Sequence, residues 1–244
     1  MKNKTIASVV ALGLAMGGTA FAGTYSPAPA IQTTGTSGIE STISLGYDHK
    51  YEFRGFDLGD DLVRAELGTS VPLSDTVTFD ASAWYGTLYD GNYNEVNLVG
   101  ALTNDFGFLQ AGLLFRQYFY DGAGSDNNEL GLILTSPAYA GVVFNLDSYY
   151  DFDASGWYLE LGAKYEHTLT DTISAVLGAG ISYQNDYAFS GSAWHHIYVG
   201  LGLPITVTET ATFTPHVRGI FTLDDLDTLQ SDFVVAGASL TVTF

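Results

Sequence analysis

From Ile39 to the C-terminus, apolar and polar residues alternate along the chain with a period of two. Between Ile39 and Arg54 the odd positions are mostly aliphatic or aromatic, whereas the even positions are charged, small or hydroxylated. Because successive side chains of a strand point to opposite faces, the alternation predicts β-strands with one apolar and one polar face. Twelve antiparallel strands are predicted, at about residues 39–54, 62–72, 76–89, 94–103, 107–120, 128–136, 141–151, 156–168, 173–185, 193–203, 210–222 and 232–244.

Strands of this kind fit either a soluble barrel or sandwich with an apolar interior, or a membrane barrel with its apolar face turned outward. The connections favour the membrane barrel, because two types of turn alternate along the chain. Short turns such as Pro72–Asp75 and Thr168–Asp171 follow the even-numbered strands. Gly- and acid-rich connections follow the odd-numbered strands, at Gly59–Asp61, Asp121–Asp126 and Asp224–Asp227. This alternation is typical of barrels with short periplasmic turns at one end and outer loops at the other.

Aromatic residues on the apolar face fall near both ends of the predicted strands. Those at the loop end are Tyr51, Phe53, Tyr85, Tyr89, Phe115, Phe119, Tyr150, Trp157, Tyr183 and Phe221, and those at the turn end are Phe79, Phe144, Tyr165, Phe213 and Phe244. Two aromatic girdles around an aliphatic band match the two interfaces of a membrane. Since backbone groups in hydrocarbon must all be paired, we expect an all-β fold, a closed antiparallel transmembrane β-barrel.

Both ends of the chain carry export signals. Lys2 and Lys4 precede a short apolar stretch that ends in Ala20-Phe21-Ala22, which predicts a signal peptide over residues 1–22 and export by the Sec route. A flexible periplasmic leader is expected over 23–38 and the barrel over 39–244. The alternating segment that ends in Phe244 resembles the C-terminal signal of Gram-negative outer-membrane barrels, which the barrel-assembly machinery reads. The predicted location is therefore the outer membrane of a Gram-negative bacterium, in contact with its lipid and lipopolysaccharide.

Composition narrows the partners further. The chain of 244 residues carries 27 Asp and Glu against 8 Lys and Arg, a formal charge of −19. So few basic residues cannot form a phosphate-binding surface, which argues against nucleic acid as a partner. Zero Cys in an exported chain excludes a disulfide framework. We expect no cofactor, no metal site and no catalytic residues, and the oligomeric state stays open.

The segment Gly46-Tyr47-Asp48-His49-Lys50-Tyr51-Glu52-Phe53-Arg54-Gly55 resembles the first strand of a family of TorF-like outer-membrane porins, which begins with Tyr-x-Phe-Arg-Gly. Family members often continue with Ser or Gln, where this chain has Phe56-Asp57. The resemblance implies a pore. It names no solute and carries over no catalytic residue.

Charged residues of the polar face are the predicted pore-lining residues: Asp48, Lys50, Glu52, Arg54, Arg64, Glu66, Asp80, Arg116, Glu129, Asp147, Glu160, Lys164, Glu166 and Arg218. A first hairpin folded about residue 58 would place Glu52 opposite Arg64 and Lys50 opposite Glu66. Such pairs would hold the barrel wall together, and members without a partner would filter solutes at a constriction.

Twelve tilted strands give a lumen radius of roughly 6–7 Å once side chains are subtracted. We expect Trp84, Tyr118, Tyr149, Tyr158, Trp194, His196 and Tyr198 to narrow it, and connections of this length to be too short to fold inside as a plug. Ten acids against six bases on the polar face, and further acids at the outer mouth, predict a mild cation preference. The Asp57, Asp60 and Asp61 group and the Asp224–Asp227 segment could hold Ca²⁺ or Mg²⁺, although solvated loops are the simpler interpretation.

The predicted function is therefore a porin-like channel for passive diffusion of ions and small hydrophilic solutes. One alternative is an occluded barrel that serves as a structural anchor or adhesin. A lipid hydrolase is the least favoured, because barrel hydrolases typically place a Ser two positions after a His, and no His here has one. His195 and His196 are predicted on opposite faces of a strand, where they could not bind one metal together.

Overall fold

The computed structural model describes residues 38–89, 93–121 and 126–244. The predicted signal peptide, all of the predicted leader except Gly38, and positions 122–125 of the outer connection Asp121–Asp126 lie outside the described residues. Within the described ranges, no helix is long and apolar enough to cross a membrane.

Thirteen strands and one short helix, α1 (Asp224–Asp227), are present in the described residues. The strands are β1 (Glu40–Phe53), β2 (Phe56–Pro72), β3 (Val77–Leu88), β4 (Asn94–Asp105), β5 (Gln110–Asp121), β6 (Asn127–Thr135), β7 (Val142–Asp151), β8 (Gly156–Thr168), β9 (Ser174–Asn185), β10 (Ser192–Gly202), β11 (Ile205–Thr206), β12 (Ala211–Thr222) and β13 (Phe233–Thr243).

Twelve of these strands close into a ring, and the two-residue β11 only extends the turn that leads to β12. Each long strand is antiparallel to its neighbour in sequence, β10 pairs with β12, and β13 pairs back to β1. The predicted closed twelve-stranded barrel is confirmed. Closure pairs the first strand with the last, as a sheet surrounded by hydrocarbon requires.

The outer surface of the barrel is apolar. Leu45 on β1 and Leu161 on β8 are 57% and 53% exposed, and similar aliphatic residues follow on the other strands. Tyr85 and Trp157 lie exposed near the loop end, and Phe144 and Phe213 lie exposed near the turn end. The charged residues point the other way, so the apolar face meets lipid and the polar face encloses the interior, as expected for a transmembrane barrel.

The first hairpin differs from the prediction, because it turns at Arg54-Gly55 and not about residue 58. Phe53 pairs with Phe56, so the loop has two residues. Arg54 and Gly55 both adopt positive φ, 51° and 86°, as type I′ hairpin turns require. The predicted outer loop Gly59–Asp61 is therefore part of β2, and the predicted pairings are wrong: Arg64 lies opposite Gly46 and Glu66 opposite Ser44.

The outer part of this hairpin also bends into the barrel. The ladder between β1 and β13 ends at the pair Asp48 and Gly237, and the β1–β2 register shifts between Tyr51 and Glu52. Tyr51 and Phe53, predicted to face lipid, instead pack in an interior cluster with Trp84, and Tyr51 is only 2% exposed. Glu52, on the opposite face of β1, is buried as well, so both faces of the strand are enclosed where the hairpin lies inside the barrel, and this explains the error.

A second irregularity lies in β10. Its register against β9 shifts between Trp194 and Ile197, so that His195 and His196 are both buried and their rings are 5.7 Å apart. The prediction that they face opposite sides is therefore wrong. Trp194, predicted inside, is 50% exposed and packs edge-on against Tyr183 outside.

Candidate functional site

The structure places the predicted pore-lining residues in two groups. Nine are buried in the barrel: Asp48, Glu52, Arg54, Arg64, Asp80, Arg116, Glu129, Asp147 and Arg218. Five are half-buried: Lys50, Glu66, Glu160, Lys164 and Glu166. Their role in lining a pore stays a prediction. What the structure adds is which of them come together.

Arg54 brings the largest group together. From the tip of the first hairpin, its guanidinium reaches Glu129 on β6, where Nη2 donates to Oε2 at 2.8 Å and Nη1 contacts Oε1. Nη1 also donates to the Tyr187 hydroxyl at 2.6 Å. Burial raises the pKa of the Tyr187 phenol, so this hydroxyl is neutral when it accepts the bond. Two-point binding between a guanidinium and a carboxylate is among the strongest hydrogen-bonded contacts in proteins.

Aromatic rings surround the same guanidinium. Its central carbon lies 4.5 Å from the ring centre of Tyr149, 4.7 Å from that of Tyr158 and 5.0 Å from that of Tyr187. Tyr149 and Tyr158 belong to β7 and β8, which face β1 and β2 across the ring of twelve strands. The hairpin tip therefore spans the interior, and its cation rests on the opposite wall.

Arg116 and Tyr118 on β5 complete the contacts of Glu129. The Tyr118 hydroxyl donates to Oε2 at 2.8 Å, and Arg116 Nη1 lies 3.9 Å from the same oxygen. Arg116 Nη1 also donates to the Tyr118 hydroxyl at 3.0 Å. One carboxylate thus joins two guanidinium groups and a phenol, and the network is buried.

The rest of the hairpin tip packs against β10 and two outer connections. Gly55 lies so close to His196 that a Cβ would come within 2.6 Å of Nδ1. Phe56 packs on His195 with ring centres 5.1 Å apart. Gln230, between α1 and β13, holds both sides of the turn, since its Nε2 donates to the Gly55 carbonyl at 2.7 Å and its Oε1 accepts from the Asp57 N–H at 3.1 Å.

These contacts fill the outer half of the interior, which the sequence did not indicate. The prediction that the connections are too short to form a plug is wrong, because the hairpin itself turns inward. Tyr118, Tyr149 and Tyr158 are buried, as is Trp84, and Tyr198 lies under Arg218 with 3.8 Å between guanidinium carbon and ring centre. At this level the interior consists of packed side chains, and the predicted open radius does not apply there.

Two further buried groups neutralise charge beside the hairpin. Asp48 accepts from Arg64 Nε at 2.8 Å and contacts His216 Nε2 at 2.6 Å. Glu52 accepts from Arg218 Nη1 at 3.1 Å and from the Gly55 N–H at 2.7 Å. Glu52 and Arg64 are both in ion pairs, but not with each other as predicted.

Other interior acids bond to neutral groups. Glu95 accepts from the hydroxyls of Tyr51, at 2.7 Å, and Tyr93, and from Asn97 Nδ2 at 2.7 Å. Asp147 on β7 lies directly opposite Glu160 on β8. Asn145 Nδ2 donates to Asp147 at 3.1 Å, and the Tyr158 hydroxyl donates to Glu160 at 2.7 Å. In the contacts described, these carboxyl groups accept from neutral donors and not from a guanidinium.

The turn-end half of the interior has smaller side chains. Ser44, Thr103, Thr212, Thr214 and Ser239 point inward there, and Ser44 Oγ lies 3.0 Å from Thr241 Oγ1. Lys164 and Glu166 are half-buried at the same end. The interior therefore has two parts, an outer one filled with rings and charges and a turn-end one lined with hydroxyls.

The predicted cation-binding loops are organised by other contacts. Lys50 Nζ binds Asp57 at 2.6 Å and Asp60 at 3.0 Å. In α1, Asp224 accepts from the Trp194 N–H at 2.9 Å and Asp227 from Thr222 Oγ1 at 3.2 Å. Across residues 38–89, 93–121 and 126–244, no three His, Asp or Glu side chains are arranged to hold a metal ion.

Ser182 and His196 form a contact that resembles a nucleophile and its base, with 2.7 Å between Oγ and Nδ1. Ser182 Oγ also accepts from the His196 N–H at 3.2 Å, and both residues are fully buried. The hydroxyl thus satisfies the backbone at the β10 irregularity. A substrate could not reach it, so the contact has a structural role.

Comparison with known proteins supports the fold. No protein-family model matches the chain, and no curated protein matches it. Among solved structures, the chain is similar to the KdgM porin (11% identity, TM-score 0.53, covering 83% of this chain and 99% of that one). It is also similar to the COG4313 outer membrane channel from Pseudomonas putida F1 (9%, 0.56, 86% and 97%) and to the NanC porin (10%, 0.52, 83% and 98%). At these identities the similarity concerns the fold, which is that of outer-membrane porin-like barrels.

Proposed function

We propose that this protein is a porin-like channel of the outer membrane, in which ions and small hydrophilic solutes diffuse passively, and that the first hairpin closes it in the present conformation. The observation that supports the proposal best is the closed barrel with lipid-facing apolar residues outside and charged residues inside. A structural barrel could enclose apolar residues at much lower desolvation cost, since each buried charge must be paired or hydrogen-bonded.

A mild cation preference is part of the proposal. Asp80, Glu95, Asp147 and Glu160 bond to hydroxyls and amides, whereas Arg54, Arg64, Arg116 and Arg218 each share a carboxylate. Because Arg54 and Arg116 share Glu129, these four guanidinium groups face three carboxylates, and by formal charge the four other acids outnumber the one surplus cation. A negative pore raises the local concentration of cations and lowers that of anions.

Location and partners follow from the ends of the chain and from the outer surface. The signal peptide over 1–22 supports Sec export, Phe244 supports recognition by the barrel-assembly machinery, and the apolar belt supports contact with outer-membrane lipid and lipopolysaccharide. The sequence Tyr51-Glu52-Phe53-Arg54-Gly55, at the end of the first strand and in the turn that follows, supports membership of the TorF-like porins.

An occluded structural barrel is the second candidate, because the packed outer half of the interior favours it. Tyr149 and Glu129 are fully buried, so no solute passes between them as the side chains stand. The two functions differ in whether the first hairpin can move out of the barrel interior. A channel requires this movement, whereas a structural anchor requires the hairpin to stay inside.

Conductance of the refolded protein in a planar bilayer distinguishes the two. We expect discrete openings, and in a salt gradient a reversal potential with the sign of cation preference. Anion preference would contradict the predicted selectivity. The absence of any openings in the wild-type protein and in the Arg54→Ala variant would favour the structural barrel.

A further inference from the structure

We propose that the surroundings of Arg54 form a binding site for organic cations with a guanidinium group, and that Arg54 is the internal ligand that occupies it. The site consists of Glu129, Tyr118, Tyr149, Tyr158 and Tyr187, and is called the guanidinium site below. The proposal deepens the channel function, on which its role in transport rests. It names a class of solute that would displace Arg54 from the site and so release the first hairpin.

The hydrogen-bonding groups of the guanidinium site match a planar cation. Both Glu129 oxygens face two different nitrogens of the guanidinium, and the Tyr187 hydroxyl accepts from one of them. Tyr118 fixes the carboxylate from the other side by donating to Oε2 at 2.8 Å. The acceptor geometry is therefore held by the barrel wall and an outer connection, not by the hairpin that supplies the cation.

The rings add a second element of recognition. Tyr149, Tyr158 and Tyr187 place their centres 4.5 to 5.0 Å from the guanidinium carbon, within the range of favourable cation–π contact. The Tyr158 hydroxyl donates to Glu160, so its ring is tied to a carboxylate. An aromatic cage with one carboxylate is chemically suited to a desolvated organic cation and poorly suited to an anion or a neutral sugar.

The charges near the site remain favourable once Arg54 leaves. Arg116 stays within 3.9 Å of Glu129 and would oppose a second cation. Against it stand Glu129 itself and the opposed pair Asp147 and Glu160, whose donors are an amide and a phenol. The emptied site therefore keeps the Glu129 carboxylate that would bind a cation, with two further carboxyl groups on β7 and β8.

Arg54 competes with any added ligand, because the chain holds it at the site. Gln230 bonds to both sides of the turn, and tethering gives an internal group an effective concentration in the millimolar range or above. The wild-type protein should therefore bind guanidinium compounds weakly. Removal of the internal ligand should expose the site.

The test is calorimetric titration of methylguanidinium into the refolded full-length protein in detergent, with methylurea as the uncharged ligand of the same shape. We expect Arg54→Ala to bind methylguanidinium at least tenfold more tightly than the wild type, and not to bind methylurea. Arg54→Gln, which keeps a polar side chain at the turn, should show the same gain if Arg54→Ala does not refold. Equal binding by the wild type and by both variants would overturn the proposal.

Glu129→Gln in the Arg54→Ala background provides the control for the site itself. It should reduce methylguanidinium binding at least tenfold, whereas Lys50→Ala in the same background, on the hairpin but away from Glu129, should leave it unchanged. Equal loss in both would overturn the site. Because binding is measured without current, binding without conductance would contradict the channel only, and conductance without binding would contradict the guanidinium site only.

Discussion

Arg54 and Glu129 form a buried two-point ion pair across the barrel, although 75 residues separate them in sequence. Arg54 occupies a hairpin turn at the loop end of β1, and Glu129 lies on the wall at β6. The pair therefore fixes the first hairpin inside the barrel. Removing this ion pair is the most direct way to free the first hairpin from the barrel wall.

Arg54→Ala should destabilise the barrel by about 3 kcal/mol, because Glu129 would remain buried with half of its positive partners gone. Lys50→Ala removes a cation from the same hairpin, where the side chain is 26% exposed, and should cost less than about 1 kcal/mol. Urea unfolding followed by circular dichroism measures both. Equal costs would contradict a special role for the buried pair.

Gly55→Ala should push the hairpin tip away from β10, since the new Cβ would come within 2.6 Å of His196 Nδ1. Gly107→Ala is the matched control, with a similar φ of 81° in a turn that has open space around the position. Both should lose about 1–3 kcal/mol to backbone strain. Only Gly55→Ala should raise the open probability in bilayer recordings, and a similar rise in Gly107→Ala would refute the steric explanation.

Asp48→Asn should cost about 3 kcal/mol of unfolding free energy, because Arg64 would keep its buried position without a charged partner. Asp60→Asn removes a similar charge from a side chain that is 74% exposed, and its cost should lie within about 1 kcal/mol. Thermal unfolding of the two variants in one detergent compares them. A larger loss in Asp60→Asn would show that the interior network contributes little.

Neutralisation of Asp147 and Glu160 should weaken cation preference, because these two opposed acids add formal negative charge to the interior and their described donors are an amide and a phenol. Reversal potentials in a tenfold salt gradient should shift toward zero for Asp147→Asn combined with Glu160→Gln. Asp75→Asn, which lies exposed in the turn after β2, should leave the potential nearly unchanged. A shift of the same size in this control would show that exposed charges at the end of the barrel, and not the interior acids, determine the selectivity.

Most of the barrel could be predicted from the alternation of residue types, because the lipid-facing surface imposes a strict period of two on every strand. The predicted faces are wrong at two places. In β10 an extra residue between Trp194 and Ile197 reverses the alternation, and at the end of β1 both faces are enclosed because the hairpin bends into the barrel. A pattern of side chains indicates neither irregularity of the backbone.

The inward position of the first hairpin was not predicted either, because its turn was predicted at the wrong residues. The dipeptide Arg54-Gly55 was a usable signal, since a Gly between aromatic residues suits a two-residue turn. The acidic, Gly-containing segment at Gly59–Asp61 gave a stronger signal for the wrong position. Tyr187 and Gln230, which hold the tip, lie in connections where no periodicity exists, so their contacts depend on the three-dimensional closure of the barrel.

Single-channel conductance of Arg54→Ala, compared with the wild type in the same bilayer, tests most directly whether the first hairpin closes a polar channel. We expect rare or small openings of the wild type and at least a severalfold larger open probability or conductance of the variant. Identical currents from the two proteins, or no current from either when both have refolded, would contradict the account.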